Sequence, residues 1–479
     1  MLNSPNNQFL PGKLRILLIL FIILDLTVSF NQFYNTPIDG DITSIVLPTE
    51  RYKAVLKDPA GFDAITSTSG TIEPNRFFAI GFIYEYYRTV PFAAQTFMSP
   101  INSIYFSSAF LKIVIQILIM LMLAIIVTGK INFRNDKFLI SIALASVFFQ
   151  VGGYSVTMGI IDSAVSYTVY YALTFVMTII LFYPFIKQVT FENEVSISRS
   201  RTIFYFILAI TTPFMSNLAP LIVIALLITG LAGKLIFKTD PGIIIKKLKA
   251  DKRYFYILLL FVVLCLYSYF ISLYSAERNI HGISYFERLT KIPGGLKNIF
   301  FGKPGLWVLV VLIGVNIFIL KKIRPVTQEM KIIKWLSFFF AIYILVLPMD
   351  GYFDFRPNIV RRDNFIPATF CLILLLIVTT IKLIDETKVK PGRMKITGVY
   401  ILIVMLFYSI ADLPLLRIDN CQRASLEMLS VSDEKIVELS DRCNLASWYL
   451  AEEVKDSEVN AQVFYFWKIT KEPKYYYQF

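Results

Sequence analysis

The sequence predicts an all-α, polytopic membrane protein of about eleven transmembrane helices, with a long first outer loop and an outer C-terminal tail. Three observations predict it. The chain of 479 residues is 56% hydrophobic, with a mean hydropathy of +0.62, a composition a soluble domain does not tolerate. Its apolar residues come in runs near the ~20 residues that span a bilayer. The runs are continuous rather than alternating, which selects helices over a β-barrel. The third observation is that basic residues concentrate in every second loop.

The elements follow in order. Lys13 and Arg15 stand at the start of an apolar stretch, 14–30, in the manner of a secretory signal. The following residues, Ser29-Phe30-Asn31-Gln32-Phe33, offer no small-x-small cleavage site, so the stretch is read as a retained first span. The chain then stays out of the membrane until about Ile104. Further spans are expected at 105–128, 137–153, 164–186, 201–214, 217–237, 254–274, 305–320, 335–348, 364–384 and 397–413. Thr212-Pro213 and Asn217 to Pro220 interrupt 201–237. Two short helices joined on the outer side fit this pattern, and so does one proline-kinked helix.

The loops orient the bundle. Lys130, Arg134 and Lys137 fall on one side, with Lys187, Arg199, Arg201, Lys246, Lys247, Lys249, Lys252 and Arg253. Lys321, Lys322 and Arg324 join them, as do Lys388, Lys390, Arg393 and Lys395. The positive-inside rule makes that side the cytoplasm, with the N-terminus inside and the C-terminus outside. The net charge of +13 is therefore a topology signal and not a nucleic-acid surface. Two regions result: a transmembrane domain, 1–413, whose first outer loop is 31–104, and a small outer tail, 414–479. The tail is expected to be helical from Asp433 to Val454 and ends in an aromatic run, Tyr475 to Tyr477. Of four cysteines, Cys265 and Cys371 lie within spans and read as packing residues. Cys421 and Cys443 lie in the outer tail, where a disulfide is permitted, and form a candidate pair.

The candidate chemistry starts at Asp39-Gly40-Asp41, directly after the first span. A base that deprotonates a sugar hydroxyl must be a carboxylate or similar group within hydrogen-bond reach of it. At the top of a helix it can meet a substrate whose lipid tail stays in the bilayer. Asp-Gly-Asp is equally good turn chemistry. Arg356, Arg361 and Arg362 share one outer loop, 349–363, against the positive-inside bias. Guanidinium matches phosphate geometry and stays charged; the alternative is pairing with Asp350, Asp354 or Asp363 in the same loop. Lys303, and after it Lys291, are further candidate phosphate contacts. The lone His281 makes no zinc site. Asp25, in the outer half of the first span, is an intramembrane ionisable group or an interfacial one. Asp162 and Tyr154, in the turn between the third and fourth spans, are placed to line the same cavity.

A first helix, an acidic motif in a long first outer loop and many further spans resemble the GT-C superfamily of integral membrane glycosyltransferases. Asp39-Gly40-Asp41 is similar to that family's two-acid motif in type and place, and Asn75–Arg88 resembles its juxtamembrane helices. The resemblance implies a sugar donor on a polyprenyl phosphate or diphosphate. It also implies a glycan, lipid or protein acceptor on the outer face of the plasma membrane. Asp39 or Asp41 would be the base, or would help hold a divalent metal, and Arg361 and Arg362 would hold the phosphate. Two rivals are kept. An O-antigen polymerase or ligase would place its large loops later in the chain, and a transporter or flippase would show internal repeats or paired broken helices.

Overall fold

The computed structural model describes residues 8–66, 71–149, 160–191, 197–237, 251–277, 282–302, 304–352, 358–388, 391–410 and 420–478. The chain is mostly helical, at 74%. Helix α1 (Gly12–Tyr34) leads to three short helices, α2 (Gly40–Val46), α3 (Glu50–Lys57) and α4 (Phe62–Thr66). They are followed by α5 (Phe77–Ala94), α6 (Pro100–Thr128) and α7 (Asp136–Ser146). Next come α8 (Val165–Phe191), α9 (Arg199–Thr211), α10 (Leu218–Phe237) and α11 (Lys252–Ser272). After α12 (Tyr285–Thr290) and α13 (Ile292–Phe301), the apolar helices α14 (Gly305–Ile323), α15 (Thr327–Val346), α16 (Ile366–Thr387) and α17 (Pro391–Ile410) complete the bundle. The tail holds α18 (Asn420–Val431), β1 (Ile436–Leu439), α19 (Glu458–Phe466) and β2 (Tyr475–Gln478).

Among the described residues, eight helices are long and apolar enough to cross a membrane. The expected pair at 201–237 is a bent unit, Arg199–Phe214 with Leu218–Gly233, turning through 102°. The break follows Pro213, which lacks the N–H that would continue the first helix, and Pro220 falls in the first turn of the second, where that N–H is not needed. The expected span 137–153 is represented by α7, whose 11 residues reach about 16 Å, half of a hydrocarbon core; 150–153 lie outside the described residues. The outward face of α1 carries exposed Leu14, Leu17, Leu20 and Leu24, which is the face lipid covers. The inward face packs on α6 and α7. The chain is thus a membrane-embedded helical protein.

The two ends of the bundle differ in chemistry. At one end Arg15 pairs with the buried Asp136 at 3.1 Å, and Lys137 with Asp385 at 2.7 Å. At the same end Arg324 bridges Glu329 at 2.6 Å and Glu386 at 2.9 Å. The other end gathers the first loop, the turn before α8, the end of α15 and the tail. Asn75 donates to Asn217 at the break of the bent unit, and Asn217 donates to Asp350 after α15. The loops that the charge pattern assigns to one side are therefore together.

The tail differs from its expected structure. No helix covers 433–454. Instead α18 ends at Val431, and Ile436–Leu439 pairs in parallel with Tyr475–Gln478. The reason is local: Val437 and Leu439 bury while Ile436 and Glu438 stay exposed, a period of two. The terminal tyrosines are a β-strand whose Tyr476 is buried. Cys421 and Cys443 form the expected disulfide, with Cα atoms 6.1 Å apart. The tail docks through Trp467, fully buried, whose indole N–H donates to the Tyr87 carbonyl at 3.0 Å. Gln422 adds a two-sided clamp, accepting from the Ile38 N–H at 2.9 Å and donating to the Ile38 carbonyl at 3.1 Å.

Candidate active site

The two aspartates of the sequence motif have separate environments. Asp39 is in extended conformation at the N-cap of α2. One carboxylate oxygen accepts the Asp41 backbone N–H at 3.2 Å and the other accepts the Ser166 N–H at 3.1 Å. It is only 7% exposed. This is capping chemistry, satisfying a donor that the helix leaves free. Asp41 sits one residue into the helix and faces outward. Its Oδ1 accepts from the Tyr52 hydroxyl at 3.2 Å and from the Trp448 indole N–H at 2.9 Å. Between them, Gly40 has a steric reason. A Cβ there would stand 2.4 Å from the Trp448 backbone nitrogen and 2.7 Å from the Ser447 carbonyl carbon. The tail's 447–448 backbone passes over the motif, and only glycine leaves room.

Asp41 opens onto a cleft of about 620 Å³, a size that suits small-molecule sites. One wall is aromatic: Tyr52, Tyr167, Tyr170, Trp448 and Tyr449. The rings of Tyr167 and Trp448 stack at 5.6 Å with 24° between planes. Tyr167 ends the first turn of α8 and Tyr170 lies in its π-helical segment, Thr168–Leu173. Such wide turns recur at functional sites. The other wall is ionic. Arg51 pairs with Glu277 at 2.6 Å, and Arg76 with Glu73 at 3.2 Å. The Arg76 guanidinium also lies 4.4 Å from the Tyr170 ring centre, a cation–π contact. Glu73 holds φ at 49°, the left-handed region that a non-glycine residue rarely occupies, and its N–H is held by the Ser275 hydroxyl.

Electrostatics separate the groups further. Burial, then the charge of Asp41, push the Asp39 carboxyl up from 3.8 to about 6, against the pull of its bonds from Ser166 and of Lys112. Burial and Asp41 likewise push the Tyr52 phenol far above its ordinary value. Burial raises the Glu277 carboxyl, with Arg51 opposing it. Burial opposes the Arg76 charge, but Glu73 and Asp41 are among the groups that hold its guanidinium well above the usual arginine value.

Of the predicted arginines, Arg361 and Arg362 are not among the residues that line this cleft. Arg361 pairs with Asp363 at 3.1 Å, and its backbone N–H donates to Asn364 at 2.8 Å. Arg362 pairs with Asp162. Asp162, expected near the cavity, takes the Ala164 N–H at 2.8 Å and so shapes the turn that presents Ser166 to Asp39. Arg356, Lys303, His281 and Tyr154 lie outside the described residues. Lys291 lies 4.8 Å from the Tyr352 ring centre, away from the cleft lining. Asp25 points its carboxyl toward Ser146 of α7, within the bundle.

Sequence reasoning missed Arg51, Arg76 and Lys112. Arg76 carried a signal, as an arginine before an aromatic helix in an outer loop. Lys112 carried the stronger one, since a lysine in mid-span is functional by default. Among the described residues, no group of three or more His, Cys, Asp or Glu side chains is placed to hold a metal ion. No protein-family model, curated protein or solved structure matches the chain.

Proposed function

We propose that the protein is a membrane glycosyltransferase of GT-C type. It would move a sugar from a polyprenyl-phosphate-linked donor to a glycan, lipid or protein acceptor on the outer face of the plasma membrane. The observation that carries this reading is Asp41, a carboxylate set between an aromatic wall and two arginines in a sugar-sized cleft. In this reading Asp41 takes the proton of the acceptor hydroxyl. The acceptor oxygen bonds to the anomeric carbon as the bond from that carbon to the phosphate oxygen breaks, and the phosphate leaves with the electron pair. Arg51 and Arg76 meet the leaving phosphate, because guanidinium offers paired donors to it. The faces of Tyr167, Tyr170 and Trp448 take the sugar ring. Asp39 holds the Asp41 backbone, and Arg361 and Arg362 keep to their pairs with Asp363 and Asp162. The positive-inside pattern turns the cleft outward.

Purified protein in vesicles, given a radiolabelled polyprenyl-phosphate sugar and an acceptor extract, tests the proposal. Transfer of label to an acceptor supports it. Label that crosses the bilayer unchanged instead supports a lipid-linked-sugar transporter, the reading that the 102° bend favours. Label that neither transfers nor crosses, with donors of several sugars, removes both.

A further inference from the structure

The charges that line the cleft do not cancel. Among the described residues they are the carboxylates of Asp41, Glu73 and Glu277 and the guanidiniums of Arg51 and Arg76. Each guanidinium already has its carboxylate: Arg51 pairs with Glu277 at 2.6 Å and Arg76 with Glu73 at 3.2 Å. Asp41 is left over. Its Oδ1 accepts from two neutral donors, the Tyr52 phenol and the Trp448 indole, and no cation bonds to it among the described residues. A phosphate-bearing donor brings at least one more negative charge. A cleft that is negative before its substrate arrives disfavours such a donor unless the donor also carries a positive group. The aromatic wall favours the same sign. It already holds two cations, with the Arg51 guanidinium 5.3 Å from the Tyr52 ring centre and that of Arg76 4.4 Å from the Tyr170 ring centre. The rings of Trp448 and Tyr449, 41% and 78% exposed, add further π faces to the same cavity. Indole offers a cation the strongest face of the aromatic side chains. The Trp448 indole is also bonded to Asp41 at 2.9 Å, so a cation over that ring is close to the unpaired carboxylate.

We propose that the sugar this cleft takes carries a protonated amine, seated against the faces of Trp448 and Tyr449 with Asp41 as its countercharge. The sugar and its phosphate rest on the functional reading given above; the preference for a cation rests on the cleft alone. The donor is then a zwitterion. Its phosphate meets Arg51 and Arg76, and its ammonium offsets the charge that Asp41 leaves uncompensated. Aromatic faces gathered around a charge-deficient site are the surroundings in which ammonium ligands are recognised. A cation over a ring face takes no hydrogen bond from Asp41, so that carboxylate stays open to the acceptor hydroxyl. Tyr449 is in this reading a specificity-determining residue: it reaches the cleft from the C-terminal tail and offers a ring to the substrate.

The test measures binding to the full-length protein in lipid nanodiscs by saturation-transfer NMR. It is run at about pH 6, where an amine is protonated, and at constant ionic strength, which fixes the screening. The probes are glucosamine, glucose, N-acetylglucosamine and choline. Glucosamine should bind about tenfold more tightly than glucose or N-acetylglucosamine, which lack the charge. Choline should compete with glucosamine and bind more weakly, since it has the ammonium without the ring. Asp41→Asn should bring glucosamine to the level of glucose. Tyr449→Ala, at an exposed position, should weaken glucosamine about two- to fivefold, and with the wild-type ranking it decides the matter if Asp41→Asn does not fold. Equal binding of charged and neutral sugars overturns the proposal, as does a glucosamine preference that survives both substitutions. Choline binding more tightly than glucosamine assigns the site to a lipid headgroup and overturns the amino sugar. A glucosamine preference without transfer from any polyprenyl-phosphate sugar supports the cation site and overturns the functional reading; transfer with no such preference does the reverse.

Discussion

Replacing Asp41 with asparagine separates chemistry from folding. The substitution keeps the shape of the side chain and its Oδ1 acceptor. Tyr52 and Trp448 can still donate to that atom, now as neutral rather than charge-assisted bonds. The difference is about 1 kcal/mol per bond, so about 2 kcal/mol in all. Loss of the repulsion between Asp41 and Asp39 offsets part of it. Stability should thus fall by under ~2 kcal/mol, a Tm shift of a few degrees at this chain length. The rate of transfer should fall by the ~10²–10⁴ that a lost general base costs, or about 3–5 kcal/mol in the barrier. Asp39→Asn should behave in the opposite proportion. Both Asp39 oxygens accept backbone N–H groups, so one amide NH₂ would face a donor and leave it unpaired, costing about 1–3 kcal/mol of stability. Thermal unfolding in detergent and single-turnover transfer with labelled donor measure the two effects. Asp41→Asn transferring at wild-type speed would refute the assignment of the base, and Asp41→Asn unfolding at the growth temperature would refute the geometry.

Three other outcomes are expected. Gly40→Ala places a methyl against the Trp448 and Ser447 backbone; the tail must shift, and protease nicking between 440 and 453 should rise several-fold relative to wild type. Cys443→Ser opens the loop that the bond to Cys421 closes over a separation of 22 residues, which should cost about 3 kcal/mol, read as denaturant midpoint with and without reductant. Arg76→Ala should raise the apparent KM for the phospho-sugar donor more than it lowers kcat, whereas Arg362→Ala, which strands buried Asp162, should cost 3–5 kcal/mol of stability; equal KM effects from the two would contradict the placement of the phosphate.

The sequence determined the membrane class, the positions of most helices and the grouping of loops into two ends. Those features follow from local quantities: run length against bilayer thickness, backbone satisfaction in lipid, and charge per loop. It also marked Asp39-Gly40-Asp41 and the pairing of Cys421 with Cys443. The tertiary structure decided what a run of residues cannot encode by itself. Asp39 and Asp41 look equivalent in the chain, yet one is a buried cap and the other faces a cleft, because a tail more than 400 residues later, at Trp448, closes over Gly40. Arg361 and Arg362 had the chemistry for phosphate but stand beside Asp363 and Asp162, while Arg51 and Arg76 reach the cleft through helices that the loop composition did not single out. Residues 433–454 lacked a partner in any local reading, and only Tyr475–Gln478 turned Ile436–Leu439 into a strand. In each case the deciding interaction joins segments far apart in the chain, so burial and charge at a site depend on neighbours that no window of sequence contains.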